Sequence, residues 1–212
     1  MRSLIIDSAT EACSVALFDG TDMLDGRFER LGRGHAERLV PMIAELPGNG
    51  RADRIVVALG PGSFTGVRIG LAAARALGLA WQTKVLGYPS FALIAAMAQA
   101  QHNTDKVSVA MTGGHGEWFV QNFSGDTQPD GDLRSLKPDD AAQYAAHDLV
   151  AGTQAAALIE RRGHGSVLEI LPDARCFASL PAHQLTTELS PFYGRPPDAK
   201  LPGGKTLNSP VA

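Results

Sequence analysis

Ile55-Val-Val-Ala-Leu-Gly-Pro-Gly-Ser-Phe-Thr-Gly-Val-Arg-Ile-Gly70 is the stretch that decides the fold. An apolar run leads into a glycine loop, and a small-residue run, Leu71 to Trp81, leads out. The pattern predicts strand, loop and helix in succession. Gly60 and Gly62 permit a sharp turn or a positive φ, and Pro61 stiffens it. Ser63 and Thr65 stand where a helix N-cap is expected, with free backbone N–H groups beyond. Such a loop holds a phosphate at the helix N-terminus, or it brings a helix close to a sheet. These residues alone leave both readings open.

Upstream, Ser3 to Ile6 reads as a strand ending at Asp7, and Ser8-Ala-Thr-Glu11 as a turn. Ala12 to Phe18 reads as a second strand. Asp19-Gly20 is a hairpin signal, and Met23 to Glu29 a third strand. Three antiparallel strands with an Asp at the first turn open an actin-like or sugar-kinase-like α/β fold. In such folds Asp7 and Thr10 would lie near phosphate and magnesium. Asp7 can equally cap its own turn, and Ser8-Ala9 offers no glycine for close approach of a phosphate. His35 to Leu46 is expected to be a helix, with Pro41 as a kink or irregularity.

Downstream, Val85 to Gly87 is a short strand, and an Ala-rich helix runs from Pro89 or Ser90 to about Gln101. Composition shifts at His102-Asn-Thr-Asp105. We therefore expect a first lobe over 1–103, a smaller second lobe over 104–200 and a flexible tail over 201–212. In the second lobe, strands are expected at Val107–Met111, Glu117–Phe123 and Asp148–Gly152, and helices at Lys137–Tyr144 and Gln154–Arg161.

The 212 residues carry a formal net charge of −3 with no basic run, so a strong nucleic-acid footprint is absent from the composition. Two cysteines, far apart and outside any CxxC pattern, fit a reducing compartment. No apolar run reaches the ~18 residues of a membrane span. The expected location is the cytoplasm.

The helix after the glycine loop is apolar nearly all round, which predicts burial on more than one side. Gly66, Gly70, Ala74 and Gly78 form a stripe almost without side chains. It would let a neighbouring element approach closely, either within the chain or across a protein–protein contact. Composition leaves the two readings open. The interface reading takes in Leu39, Met42 and Ile43 from the helix at His35, and Gly66, Gly70, Leu71, Ala74, Arg75 and Gly78 from this one. On that reading, Ala74→Glu leaves the fold intact and abolishes partner binding.

Three segments carry a resemblance to a known family: Leu4-Ile-Ile-Asp-Ser-Ala-Thr-Glu-Ala-Cys-Ser-Val-Ala-Leu17, His35-Ala-Glu-Arg-Leu-Val-Pro-Met42 and Gly60 to Leu71. They closely resemble the TsaB family, also called YeaZ. Pro191 to Ala199 is similar to that family's C-terminal motif. The resemblance implies an actin-like ATPase-domain (ASKHA, ribonuclease H-like) fold with two lobes of mixed sheets flanked by helices. It implies a non-catalytic partner of the TsaD transferase, which modifies adenosine 37 of tRNA with threonylcarbamoyl, acting together with the ATPase TsaE. It further implies a homodimer when alone, tRNA contact only through the complex, and no cofactor.

An older label for this superfamily, glycopeptidase, suggests a metallopeptidase instead, and a sugar-kinase-like enzyme is the other alternative. The TsaD metal pair His-x-x-x-His would fall at Ser90 and Ile94, and Ile cannot bind a metal. No catalytic or metal residue is therefore expected. Asp7, Thr10, Gly60, Gly62, Ser63 and Thr65 are left as a vestigial phosphate loop. Met111-Thr-Gly-Gly-His-Gly-Glu-Trp118 departs from the family pattern, lacking its acid and its Arg.

Overall fold

The computed structural model describes residues 1–192. The expected motif beyond Phe192 and the expected tail at 201–212 lie outside the described residues. Strands β1 (Arg2–Asp7), β2 (Ala12–Asp19) and β3 (Asp22–Arg30) form an antiparallel meander. Strands β4 (Arg54–Ala58) and β5 (Lys84–Tyr88) add to β1 in parallel, giving the order β3-β2-β1-β4-β5. The central strands are buried on both faces, which explains their unbroken apolar runs. Leu4, Ile6, Ile55 and Val57 face one core; Ile5 and Val56 face the other.

Helices α1 (His35–Ala44) and α2 (Phe64–Trp81) cover the first of these faces. The buried His35 ring anchors the start of α1, its Nε2 lying 3.2 Å from the Ala12 carbonyl oxygen. Pro41 does not break the helix. α1 ends at Ala44 rather than Leu46 because Leu46, directly before Pro47, is extended, and the Glu45 amide still reaches the Pro41 carbonyl.

Helix α3 (Ser90–His102) covers the other face of the sheet. Its residues are buried almost all round because a second sheet lies on its far side. That sheet contains β6 (Val107–Thr112), β7 (Trp118–Ser124), β8 (Gln128–Pro129), β9 (Arg134–Leu136), β10 (Leu149–Ala151) and β11 (Ser166–Leu168), in the order β11-β10-β6-β7-β8, with β9 also on β7. Helices α4 (Pro138–Tyr144) and α5 (Ala155–Arg162) pack on it. The antiparallel pair β6/β7 followed by parallel β10 and β11 repeats the arrangement of β1/β2, β4 and β5. This duplicated, two-lobed α/β architecture is the actin-like, ribonuclease H-like fold.

The chain then returns to its first half. A 3-10 turn, Ala174–Ser179, packs on β1, β2, β3 and α3. Thr186 exchanges both backbone hydrogen bonds with Gly87 on the edge of β5, and the Phe192 amide donates to the Leu59 carbonyl. The two sheets lie on either side of residue 103, while the segment after Asp173, assigned to the second lobe, packs residues 174–177 and 186–192 on the first and bonds the second through His183 and Gln184. One apolar core runs from Ile5, Phe18 and Tyr88 through α3 to Val107, Val109, Phe119 and Phe123. Among the described residues, no helix is long and apolar enough to cross a membrane.

Candidate functional site: a sealed glycine loop and an exposed helix face

The glycine loop folds down onto the β1–β2 turn. The Ser63 amide donates to the Ala9 carbonyl at 2.7 Å, and the Ser8 hydroxyl donates to the Gly66 carbonyl at 2.9 Å. A Cβ added at Gly62 would collide with the Ala9 carbonyl oxygen, and one at Gly66 with that of Ser8. These two glycines are required by backbone-to-backbone contact. Ser63 is the N-cap of α2, its Oγ accepting from the Gly66 amide; Thr65 lies exposed inside the helix. The Ser63, Gly66 and Val67 amides, donors that could face a phosphate, are instead used within the chain.

Asp7 closes the same turn from beneath. One carboxylate oxygen accepts from the Ala9 amide at 3.0 Å and the other from the Tyr88 hydroxyl at 2.9 Å. Burial raises its pKa from 3.8 to about 7, the two hydrogen bonds acting in the opposite direction. Thr10 turns its hydroxyl inward to accept from the Ala12 amide. A carboxyl so enclosed, under a loop packed on backbone carbonyls, does not fit a magnesium–nucleotide group.

The returning 3-10 turn Ala174–Ser179 closes over the first sheet and α3. Phe177 packs its ring against Phe18 at 5.9 Å and Tyr88 at 6.2 Å between centroids. The Ala174 amide donates to the buried Ser14 hydroxyl, and Arg175 forks onto Asp173 beside the bare backbone of Gly26. Sequence reasoning missed this plug, because Asp173-Ala-Arg-Cys-Phe177 carries no periodic signal. Ser90 and Ile94, at the TsaD metal positions, are wholly buried in α3. An aliphatic side chain and a lone hydroxyl in an apolar core do not fit a transition metal.

Helix α2 presents two different faces. Gly66, Gly70, Ala74 and Gly78 point at the chain's own sheet and its first turn, and Ala74 is fully buried in the core with Leu39, Met42, Ile43 and Leu71. Of the residues expected at a partner interface, all are buried within the chain except Arg75. This overturns the expected effect of Ala74→Glu, because a helix lies closest to a sheet where it carries the smallest side chains. Arg75 itself donates to the Leu189 carbonyl at 3.0 Å, holding the returning C-terminal segment.

The outward face of α2 carries Arg68, Ala72, Ala76, Leu79 and Ala80. Leu79 is 83% exposed, and Val40 on the neighbouring α1 is 55% exposed, beside exposed Pro41 and Ala44. The two helices touch and lie on the same side of the sheet. Their outer faces therefore form one apolar, small-residue surface. A signal for it exists in the sequence: Arg68 and Arg75 lie on one side of the helical wheel and mark the solvent side.

A family model described as tRNA N6-adenosine threonylcarbamoyltransferase, TsaD, matches residues 29–160. A structure of an uncharacterized protein with similarity to peptidase YEAZ, from Pseudomonas aeruginosa, superposes with a TM-score of 0.78 at 30% identity. It covers 92% of this chain and 99% of that one. The chain belongs to the TsaB (YeaZ) family. YeaZ from the same organism superposes with a TM-score of 0.73 at 29% identity, over 84% of this chain and 89% of that one. The tRNA threonylcarbamoyladenosine biosynthesis protein TsaB of Escherichia coli is 37% identical over 132 residues, 59% of this chain and 56% of that protein. TsaB of Haemophilus influenzae is 34% identical over 113 residues, 51% of this chain and 48% of that protein. The chain spans about half the length of these curated relatives.

Proposed function

We propose that this chain is a non-catalytic, cytoplasmic subunit of the machinery that makes threonylcarbamoyladenosine at position 37 of tRNA. It docks a TsaD-like transferase, works with a TsaE-like ATPase, and pairs with a second copy of itself when alone. One observation carries the reading: the turn that would serve a nucleotide is sealed from within, while α1 and α2 leave an apolar face open. The relatives' names supply the pathway, and the resemblance to the TsaB family supplies the class of partner.

Docking needs apolar area that the folded chain has not already covered. Val40, Leu79 and the outward alanines of α2 provide it, with small side chains that permit close helix approach. Burial of such side chains contributes ~25 cal/mol per Å² of apolar surface, so a few of them decide whether a complex persists. Reconstitution of tRNA modification with and without this chain tests the proposal. Modification is expected to require the chain, and the chain alone is expected to hydrolyse no ATP. Equal modification in its absence refutes the reading.

A further inference from the structure

At the strand-start end of the first sheet, the backbone register lines up Ser3, Arg54 and Lys84 across β1, β4 and β5. Arg2 precedes Ser3 on β1. Arg51 follows the 3-10 turn Pro47–Gly50, just beyond the end of α1. Lys84 follows Gln82 and Thr83, just beyond the end of α2. Both outward-facing helices therefore terminate at one row of cations.

Arg2, Arg51 and Lys84 are exposed, and within the described residues their charged groups make no hydrogen bond or ion pair. Arg54 is half-buried and donates to the Ser3 hydroxyl at 2.7 Å. The acids nearby are few. Asp53 accepts from the Arg2 backbone amide, Asp19 is paired with the Met1 amino group at 2.8 Å, and Asp22 sits opposite Asp19 in the hairpin. This end of the molecule carries an excess of positive charge in a chain whose formal net charge is −3.

We infer that Arg2, Arg51, Arg54 and Lys84 form a cationic rim that takes the phosphate backbone of the tRNA held by the assembly. The inference rests on the docking function proposed above. A transferase seated on α1 and α2 would stand beside the helix ends that carry Arg51 and Lys84, and an RNA held by it would pass within reach. Phosphates are met by unpaired Arg and Lys side chains without base reading. A handful of such contacts gives weak binding to the isolated chain and a measurable share of the binding to the complex, which agrees with tRNA contact arising only in the assembly.

The test uses the full chain complexed with its TsaD-like transferase. Arg2→Gln, Arg51→Gln and Lys84→Gln are combined, and Arg54 is kept because it bonds Ser3. Arg134→Gln with Lys137→Gln, two exposed sites of the second lobe, is the control. Assembly is followed by gel filtration and tRNA affinity across a salt series. The expected result is intact assembly and an unchanged melt, with affinity down about tenfold at low salt. The slope of log K against log salt should shrink by roughly 0.9 per lost contact, with the control near wild type. An intact complex with unchanged affinity and slope overturns the rim. So does loss of the complex itself, which would make the rim a docking site for an acidic protein surface. A wild-type chain that fails to assemble overturns the functional reading beneath it.

Discussion

The two faces of α2 are built from similar small residues and meet opposite surroundings. On the inner face, Gly66 and Gly70 lie against Ser8, Val57 and Ile6, and a side chain there would strike backbone or core. On the outer face, Ala72, Ala76 and Leu79 are exposed, and nothing among the described residues buries them. Small residues on the inside serve close helix–sheet packing; those on the outside are exposed, where the proposed partner would sit. Composition does not separate the two uses. Only the position of the sheet does.

Substitutions that exchange the two faces should break this comparison most visibly. Ala74→Glu places an unpaired charge in the core and is expected to unfold the chain, or to cost about 3–5 kcal/mol. Ala76→Glu, two residues on, should change stability by no more than about 0.5 kcal/mol. Denaturant unfolding of the pair checks the assignment, and similar losses in both would show that the faces are not distinct.

Beneath the inner face, Asp7 makes the sealed turn sensitive to pH. Its folded pKa of about 7 lies above the ordinary 3.8, so the folded chain retains a proton that the unfolded chain releases. Stability from this group falls as pH rises from about 4 to about 7 and is level above that, a change on the order of 4 kcal/mol. Asp7→Asn should remove this dependence, because the amide oxygen can still accept from Ala9 and the amide nitrogen can donate to the Tyr88 hydroxyl. Unfolding free energies at pH 5 and pH 8 should converge in the variant relative to wild type. An unchanged difference would mean that Asp7 is not the group that titrates.

Gly66→Ala sharpens the same contact. The added methyl meets the Ser8 carbonyl oxygen and must push α2 off the turn, with an expected loss of about 1–3 kcal/mol. Gain of stability from the better helix former would contradict the close approach. The smallest effect is expected at the border between the faces. Arg75→Ala removes the hydrogen bond to Leu189 and should cost about 1 kcal/mol or less. Hydrogen exchange should then quicken at Thr186, whose amide is held by Gly87 on the β5 edge.

Much of the first lobe was legible in the sequence. Apolar runs, the Asp19-Gly20 turn and the Ser63 cap located β1 to β5 and α2 closely, because each rests on local chemistry. The strands β8, β9 and β11 were not legible: they are two or three residues long, too short to show a period, and defined only by their partners. The plug around Phe177 was missed for the same reason. Its ring finds its place through Phe18 and Tyr88, residues remote in sequence. At the site, the glycine loop was visible but its packing was not, since the Ser8 and Ala9 carbonyls that Gly66 and Gly62 lie against are brought there by tertiary structure. The orientation of α2 was misread because the small residues drew the reading, while the only period that chooses a face is the weak one carried by Arg68 and Arg75.

The most direct measurement concerns the outer face itself. Val40→Glu and Leu79→Glu are combined in one chain, since both side chains are more than half exposed and neither supports the core. Titration calorimetry with the TsaD-like transferase, alongside a thermal melt of the isolated chain, reads binding and folding separately. The account predicts a melt close to wild type with binding weakened beyond detection. A variant that melts normally and still binds with wild-type affinity would contradict it.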